Sequence, residues 1–301
     1  MASPILLGTW PTPLEPARRL SAALGLDELW IKRDDLSGLG GGGNKVRKLQ
    51  YACAEALAAG ATTLITTGAP QSNHARLTAA AAARLGLRAV LVLAGNPPQT
   101  ERGNLILDSL AGAEIVWAGA TPIDKCAEAT AAEMRGWGDN PHIIPFGGTT
   151  SASAQGYVDC AREIAEQLPD FDRVVTALGS GGTMAGLVAA FGPERVYGVD
   201  TGAIADPHAT VAELVNGMPG AEVRADDLLI DRAQVGAGYG ALTERVREAL
   251  KLAARTEGLF LDPTYTGRAM ASLVSGVIPR HGRTVFLHTG GLPGLFGHPD
   301  L

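Results

Sequence analysis

Nearly continuous apolar runs alternate with alanine-rich helical stretches along this chain. Val90-Leu91-Val92-Leu93 and Val174-Val175-Thr176-Ala177-Leu178 have the character of strands buried on both faces, as in parallel sheets covered by helices. Leu49, Ala52, Cys53 and Ala56 recur at i, i+3, i+4 and i+7, the spacing of one helix face. The order is strand then helix: Thr62–Thr66 before Asn73–Leu85, Ala89–Leu93 before Gly103–Leu110, and Glu114–Val116 before Pro122–Arg135. A second series has strands at Val174–Leu178, Val196–Val199 and Thr284–His288, with helices near Met184–Ala190, Pro207–Leu214, Leu242–Arg255 and Gly267–Ser275. This pattern predicts an α/β protein of two domains, each an open, mostly parallel sheet flanked by helices. Residues 48–147 form the small domain in this reading, and 1–47 with 148–301 the large one, leaving a cleft between them for a ligand.

Length and charge narrow the partners. A chain of 301 residues is long enough for a sizeable core and more than one domain. The formal net charge is −6, 19% of residues are charged and basic residues never run beyond a pair, so there is no electrostatic footprint for nucleic acid or an anionic membrane. A small-molecule substrate is expected. Apolar runs stay short of the roughly 20 residues a membrane helix needs. The start, Met-Ala-Ser-Pro-Ile-Leu-Leu, lacks the basic and apolar regions of a signal peptide, which points to the cytoplasm. Cys53, Cys126 and Cys160 are three in number and widely spaced, which argues against disulfides or a metal site; all three read as buried apolar residues.

Four segments carry candidate chemistry. Gly40-Gly-Gly-Gly-Asn44-Lys45-Val-Arg-Lys48-Leu49 is a glycine loop that delivers Lys45 and Lys48 to the first turn of a helix, where an amine can meet an aldehyde. Leu178-Gly179-Ser180-Gly181-Gly182-Thr183 follows a strand and precedes a helix; its backbone N–H groups, hydroxyls and helix start suit a phosphate. It has neither a Walker lysine nor the dinucleotide glycine spacing, although Asp200 lies about 20 residues on, so a phosphate without a nucleotide fits better and a nucleotide-dependent oxidoreductase does not. Gln71, Ser72, Asn73 and His74 cluster before the helix Asn73–Leu85. One of them serves as a helix cap, and the group together suits a carboxylate. Tyr239 and Tyr265 sit in glycine-containing turns, and Thr289 ends the last strand, where ligands of open α/β sheets bind. His288 reads as a packed histidine.

Taken together, these residues resemble the D-cysteine desulfhydrase and 1-aminocyclopropane-1-carboxylate deaminase family, pyridoxal-phosphate enzymes of fold-type II that share the fold of the tryptophan synthase β subunit. The resemblance runs from Thr12-Pro-Leu-Glu and Trp30-Ile-Lys-Arg-Asp-Asp-Leu through Gly43-Asn-Lys-Val-Arg-Lys-Leu, Gln71-Ser-Asn-His, Gly179-Ser-Gly-Gly-Thr and Tyr265-Thr-Gly to His288-Thr-Gly-Gly. It implies that Lys45 holds pyridoxal 5'-phosphate as a Schiff base, that Asn44 bonds the ring oxygen, and that Gly179, Ser180, Gly181, Gly182 and Thr183 cradle the phosphate. Thr289 would face the pyridine nitrogen and leave it unprotonated. Ser72 and Asn73, with Gln71 and His74 beside them, would hold the substrate carboxylate. Lys45, Ser72, Tyr239 and Tyr265 are the implied catalytic set, and a homodimer is the implied assembly.

Departures from the family pattern bear on the substrate. Cyclopropane deaminases carry Tyr-Glu where this chain has Tyr265-Thr266, which favours β-elimination, D-cysteine giving pyruvate, ammonia and hydrogen sulfide. The usual Gly-Ser-Asn-Pro segment reads Gly147-Gly-Thr-Thr-Ser-Ala-Ser153, next to an expected cofactor or substrate contact. Alternatives are an L-cysteate sulfo-lyase, with Arg76 as a partner for the sulfonate, a cyclopropane deaminase, a β-replacement enzyme, or a cofactor-binding pseudoenzyme.

Overall fold

The computed structural model describes residues 3–301. Among them, ten strands form two separate sheets. The larger has six strands in the order β1 (Leu14–Pro16), β2 (Glu28–Lys32), β10 (Arg283–Leu287), β7 (Arg173–Leu178), β8 (Val196–Asp200) and β9 (Leu229–Asp231). Only β1 runs antiparallel to its neighbour; the other pairings in this sheet are parallel. The smaller sheet is wholly parallel, in the order β5 (Glu114–Trp117), β4 (Arg88–Leu93), β3 (Thr63–Gly68) and β6 (Pro141–Ile144).

Period-two alternation explains how each sheet gains helices on both faces. Val174, Leu178, Val285 and Leu287 point to one face of the large sheet, into a core shared with α6 (Ser151–Gln167), α7 (Gly182–Phe191) and α8 (Pro207–Asn216). Val175, Ala177 and Phe286 point to the other, against α1 (Arg18–Leu24), α9 (Glu244–Glu257) and α10 (Thr266–Ser275). In the small sheet Leu64, Leu91 and Leu93 meet α2 (Lys45–Ala58) and α3 (Asn73–Leu85), while Ile65, Val90 and Val92 meet α5 (Ile123–Gly136). Each such fully buried side chain contributes about 1.5–3 kcal/mol relative to exposure. Helix α4 (Asn104–Leu110) packs beside α3, and α11 (Leu292–Gly297) closes the chain near α4.

Helix α6 is absent from the sequence expectations. Its first turn is fixed by a reciprocal cap, in which Ser153 N–H donates to Thr150 Oγ1 at 3.0 Å and Thr150 N–H to Ser153 Oγ at 2.9 Å. The departing segment 147–153 is therefore the entry to this helix. Gly156 within it is a packing residue, because a Cβ there would lie 2.5 Å from the Arg47 carbonyl oxygen on α2. Helix α2 begins at Lys45, so the expected boundary between 47 and 48 falls inside it. Cys53 and Cys160 are buried, but Cys126 is only half-buried on α5, which corrects the expectation that all three are interior.

A charged cluster ties the N-terminal segment to α2 and α6. Arg47 donates through Nε to Asp34 Oδ2 at 2.8 Å and through Nη1 to Glu163 Oε1 at 2.8 Å, while Lys32 Nζ donates to Glu163 Oε2 at 2.7 Å. Arg47 Nη2, Tyr157 and Thr12 donate the remaining side-chain bonds to the Asp34 carboxylate, at 2.9, 2.7 and 2.8 Å. Although burial favours the neutral acid, Arg47 and these donors hold the Asp34 carboxyl below its ordinary range.

Candidate active site

The strands β3, β7 and β10 deliver their carboxyl ends to one cleft between the sheets. Residues 69–72 follow β3, 179–181 follow β7 and 288–291 follow β10. This is the ligand position expected of open parallel sheets. Lys45, at the first position of α2, enters the cleft from the glycine loop. Gly42 has φ +73°, and a Cβ on it would lie 2.0 Å from the Asp35 carbonyl oxygen, so only glycine permits the loop to fold this tightly.

Lys45 Nζ lies 3.2 Å from Asn44 Oδ1 and 5.9 Å from the centroid of the Tyr265 ring. Burial lowers its pKa to about 8, against an opposing pull from Asp262. It is therefore part neutral amine near physiological pH, the form that attacks carbonyls. Asn44 Nδ2 donates to Thr183 Oγ1 at 2.9 Å, linking the lysine loop to the start of α7. Asn44 N–H in turn donates to the Thr289 carbonyl at 3.0 Å. The cavity around Lys45 is lined by Asn44, Asn73, Gly179, Ser180, Gly181, Thr183, Tyr265 and Thr289. Gly182 sits one step behind, against Thr149.

Lys48 is the residue that sequence reading left without a role. Three positions after Lys45, it lies on the same side of α2 and is 1% exposed. Its amine donates to the Gly147 carbonyl, to Thr149 Oγ1 at 2.7 Å and to Ser180 Oγ at 3.4 Å. None of these partners carries a charge, and burial, then Lys45, pushes its pKa well below that of a free lysine. A buried amine with neutral neighbours, beside the glycine turn and the N-terminus of α7, is a place prepared for an anion from outside. The signal was the i, i+3 spacing of two lysines. What hid it was that burial of a charge cannot be read from composition.

The carboxylate cluster divides. Ser72 caps α3, its Oγ accepting from Ala75 N–H at 3.1 Å, and keeps its own hydroxyl hydrogen for the cavity. Asn73 Oδ1 accepts from Asn104 Nδ2 at 3.0 Å and Arg76 Nη2 at 3.4 Å, leaving its Nδ2 donors for a ligand. Gln71 corrects the expectation: its side chain donates to the Arg102 carbonyl at 2.9 Å and accepts from Asn104 N–H at 2.9 Å, away from the residues that line the cavity. His74 is a second correction. The Thr66 hydroxyl donates to the Ile144 carbonyl at 2.8 Å, so it accepts from His74 Nε2 at 2.9 Å. Nδ1 is then an unprotonated acceptor without a partner, and burial with Lys48 and Lys45 nearby holds the ring neutral. Such a histidine at the cavity wall has no donor for a carboxylate.

Arg76 is engaged as well. It donates to the carbonyls of Gly40 and Gly42 and, through Nε, to Asn104 Oδ1 at 3.0 Å. It braces the glycine loop and faces no open space for a sulfonate. Tyr239 and Tyr265 meet at their hydroxyls, with their rings edge to face. Burial raises both phenol pKa values, so both stay protonated at neutral pH. Thr266 turns inward, donating to Asp262 Oδ1 at 2.7 Å and accepting from Asp262 N–H at 2.8 Å. His288 is buried and accepts from Gly290 N–H through Nδ1 at 3.2 Å, as a packed turn histidine should.

Residues 5–290 match the family model described as pyridoxal-phosphate dependent enzyme. The chain belongs to this family. Proteins named D-cysteine desulfhydrase from Salmonella schwarzengrund and Klebsiella pneumoniae are each 42% identical to it, over 97% of this chain and 95% of theirs. A putative 1-aminocyclopropane-1-carboxylate deaminase from Pyrococcus abyssi is 39% identical over 98% of this chain and 94% of its own. A crystal structure described as an ACC deaminase homologue superposes with a TM-score of 0.90 at 36% identity, covering 99% of this chain and 94% of that one. The pyridoxal-phosphate dependence of the family fits the residues present here. Lys45 offers an amine of lowered pKa to an aldehyde, and the turn 179–183, with the buried Lys48 amine behind it 3.4 Å from Ser180 Oγ, offers a cradle to a phosphate.

Proposed function

We propose that this cleft catalyses β-elimination on a small thiol amino acid, D-cysteine in the first instance: hydrogen sulfide departs in the elimination, and water then converts the released 2-aminoacrylate to pyruvate and ammonia. The observation that carries this reading is the character of the cavity wall around the tyrosine pair. Tyr239 and Tyr265 present neutral hydroxyls, Thr266 is folded back onto Asp262, and Arg76 is spent on the glycine loop. A thiol needs no more than a proton donor there. A sulfonate would require a cation, and burying it without one costs several kcal/mol. The names carried by the relatives at 42% identity support the same substrate class.

Lys45 would attach the cofactor, Asn44 and Thr289 would face its ring, and Gly179 to Thr183 with Lys48 would hold its phosphate. Bound there, pyridoxal phosphate supplies an electron sink for negative charge at the substrate α-carbon. The Ser72 hydroxyl, Asn73 Nδ2 and the free N–H groups of the first turn of α3 hold the substrate carboxylate. The Lys45 amine, its pKa lowered by burial, would take the α-proton. Tyr265, kept protonated by burial, gives a proton to the departing sulfur, with Tyr239 hydrogen-bonded behind it. Transfers of this kind contribute roughly 10²–10⁴-fold each. We place the small lobe at 45–147, extended from 48–147 so that α2 stays whole, against 1–44 and 148–301; the separate sheets support a division into two lobes. A cytoplasmic homodimer completes the reading; the unpaired cysteines suit a reducing compartment, and exposed Phe260 and Leu292 share a groove that suits a second copy.

The test is a product assay of the holoenzyme with D-cysteine, L-cysteine, L-cysteate and 1-aminocyclopropane-1-carboxylate. Sulfide and pyruvate from D-cysteine, without sulfite or 2-oxobutyrate from the others, are expected. Preferential release of sulfite or 2-oxobutyrate would overturn the substrate assignment.

A further inference from the structure

The tyrosine pair depends on contacts that reach it from one short stretch of chain. Asp262 lies just before α10, and its carboxylate accepts from the N–H groups of Thr264, Tyr265 and Thr266 at 2.9, 2.8 and 2.9 Å. That fixes the backbone of Tyr265. Arg268, three residues further on, is 0% exposed and has no ion-pair partner within 4.0 Å among the described residues. Its two Nη atoms are spent on backbone instead, while Nε has no partner among the described residues. Nη1 donates to the Thr201 carbonyl, and Nη2 to those of Gly238, Tyr239 and Ala241 at 2.8, 2.9 and 2.8 Å. The segment around Tyr239, residues 236–241, has no helix or strand and makes a single internal backbone hydrogen bond, from Ala241 N–H to the Gly238 carbonyl. Besides the Tyr265 hydroxyl, the loop has two side-chain anchors: His298, whose Nε2 lies 3.2 Å from the Gly240 carbonyl, and the buried Arg268, which bonds three loop carbonyls, that of Tyr239 included, and touches neither the cavity around Lys45 nor that beside Ser72.

We propose that Arg268 is a positioning residue that clamps the 236–241 loop to the end of β8 and so holds the Tyr239 hydroxyl against that of Tyr265. The proposal rests on the elimination reading, in which that pair carries the proton to the leaving group. A planar guanidinium spans both loops at once, which the point charge of a lysine does only in part. Loss of the clamp shifts Tyr239 without removing any group from the cleft, and displacements of about 1 Å can lower rates by roughly 10²-fold.

The holoenzymes of wild type, Arg268→Met, Arg268→Lys, Tyr239→Phe and Arg268→Met with Tyr239→Phe are compared for D-cysteine turnover and for amide hydrogen exchange. Arg268→Met is expected to lower kcat by roughly 10- to 100-fold with little change in KM, and to speed exchange of the Ala241 amide, the one N–H bonded within 236–241, while 264–266 stay protected. Arg268→Lys should fall between Met and wild type in both. Adding Tyr239→Phe to Arg268→Met should cost no further activity, because both act through one hydroxyl. Additive losses, full activity in Arg268→Met, or lost activity with wild-type exchange would overturn the clamp. If the Met variant does not fold, the Lys variant decides: slowed turnover with unchanged Ala241 exchange contradicts the proposal. If wild type fails on D-cysteine, the functional reading falls, and Ala241 exchange still tests the clamp by itself.

Discussion

Two sides of one helix turn treat basic residues in opposite ways. On α2, Arg47 faces Asp34 and Glu163 and is fully compensated, whereas Lys45, which lines the cleft, and Lys48, buried behind its wall against Thr149 and Ser180, have no carboxylate within bonding distance among the described residues. The first arrangement is structural: a buried charge whose partners come from three separate parts of the chain holds those parts together. The second leaves enclosed amines whose pKa values burial lowers, Lys45 against a partial pull from Asp262 and Lys48 with the added repulsion of Lys45. Such uncompensated burial is destabilising for the protein alone and becomes useful when an aldehyde and a phosphate arrive from outside. Burial by itself therefore does not separate scaffold from site. The presence or absence of a compensating charge does.

The comparison is broken most severely by Arg47→Met. Stranding Asp34 in the interior should destabilise the fold by about 3–5 kcal/mol, read as a lower midpoint in urea. Lys48→Met should behave differently. Its loss should weaken pyridoxal phosphate binding by about 1.5–3 kcal/mol, the worth of hydrogen bonds to a charged group, while the cofactor-free protein keeps or gains stability. Equal destabilisation by both substitutions would erase the distinction. The smallest effect concerns Asp108, on α4, whose two carboxylate oxygens have no partner among the described residues and whose pKa burial raises from 3.8 to about 7. Its folded state binds the proton more tightly than the unfolded state, so stability falls as pH rises from about 4 to about 7 and is level above. Asp108→Asn should thus be more stable than the parent at pH 8, by about 1–3 kcal/mol, with the difference gone near pH 4. Thermal unfolding at the two pH values checks it.

Much of this molecule was legible in its sequence, for identifiable reasons. Helix α3 begins and ends where Asn73 and Leu85 predicted, because Ser72 caps it and Gly86 ends it in the left-handed conformation. The buried strands β4 and β7 announced themselves as apolar runs. Short strands did not: β1 and β9 have three residues each, too few for a period to show. Helix α6 was hidden by Ser-Ala-Ser and by Gly156, residues chosen for a cap and for close approach to α2. In the site, Lys45 and the glycine turn were visible because their chemistry requires those residue types. The partners of Gln71, the tautomer of His74 and the engagement of Arg76 depend on groups 8 to 36 positions away, backbone carbonyls among them, which no local pattern encodes.

The most direct test of the distinction between compensated and uncompensated amines is cofactor capture by the cofactor-free protein, followed by visible absorbance as a function of pH. With Lys45 at a pKa of about 8, the attachment rate in wild type should rise to half its maximum near pH 8, where an ordinary lysine would do so near 10.5. Lys45→Ala should show no attachment. A band that forms in Lys45→Ala, or a wild-type midpoint near 10.5, would contradict the placement of this lysine as the enclosed, uncompensated amine of the site.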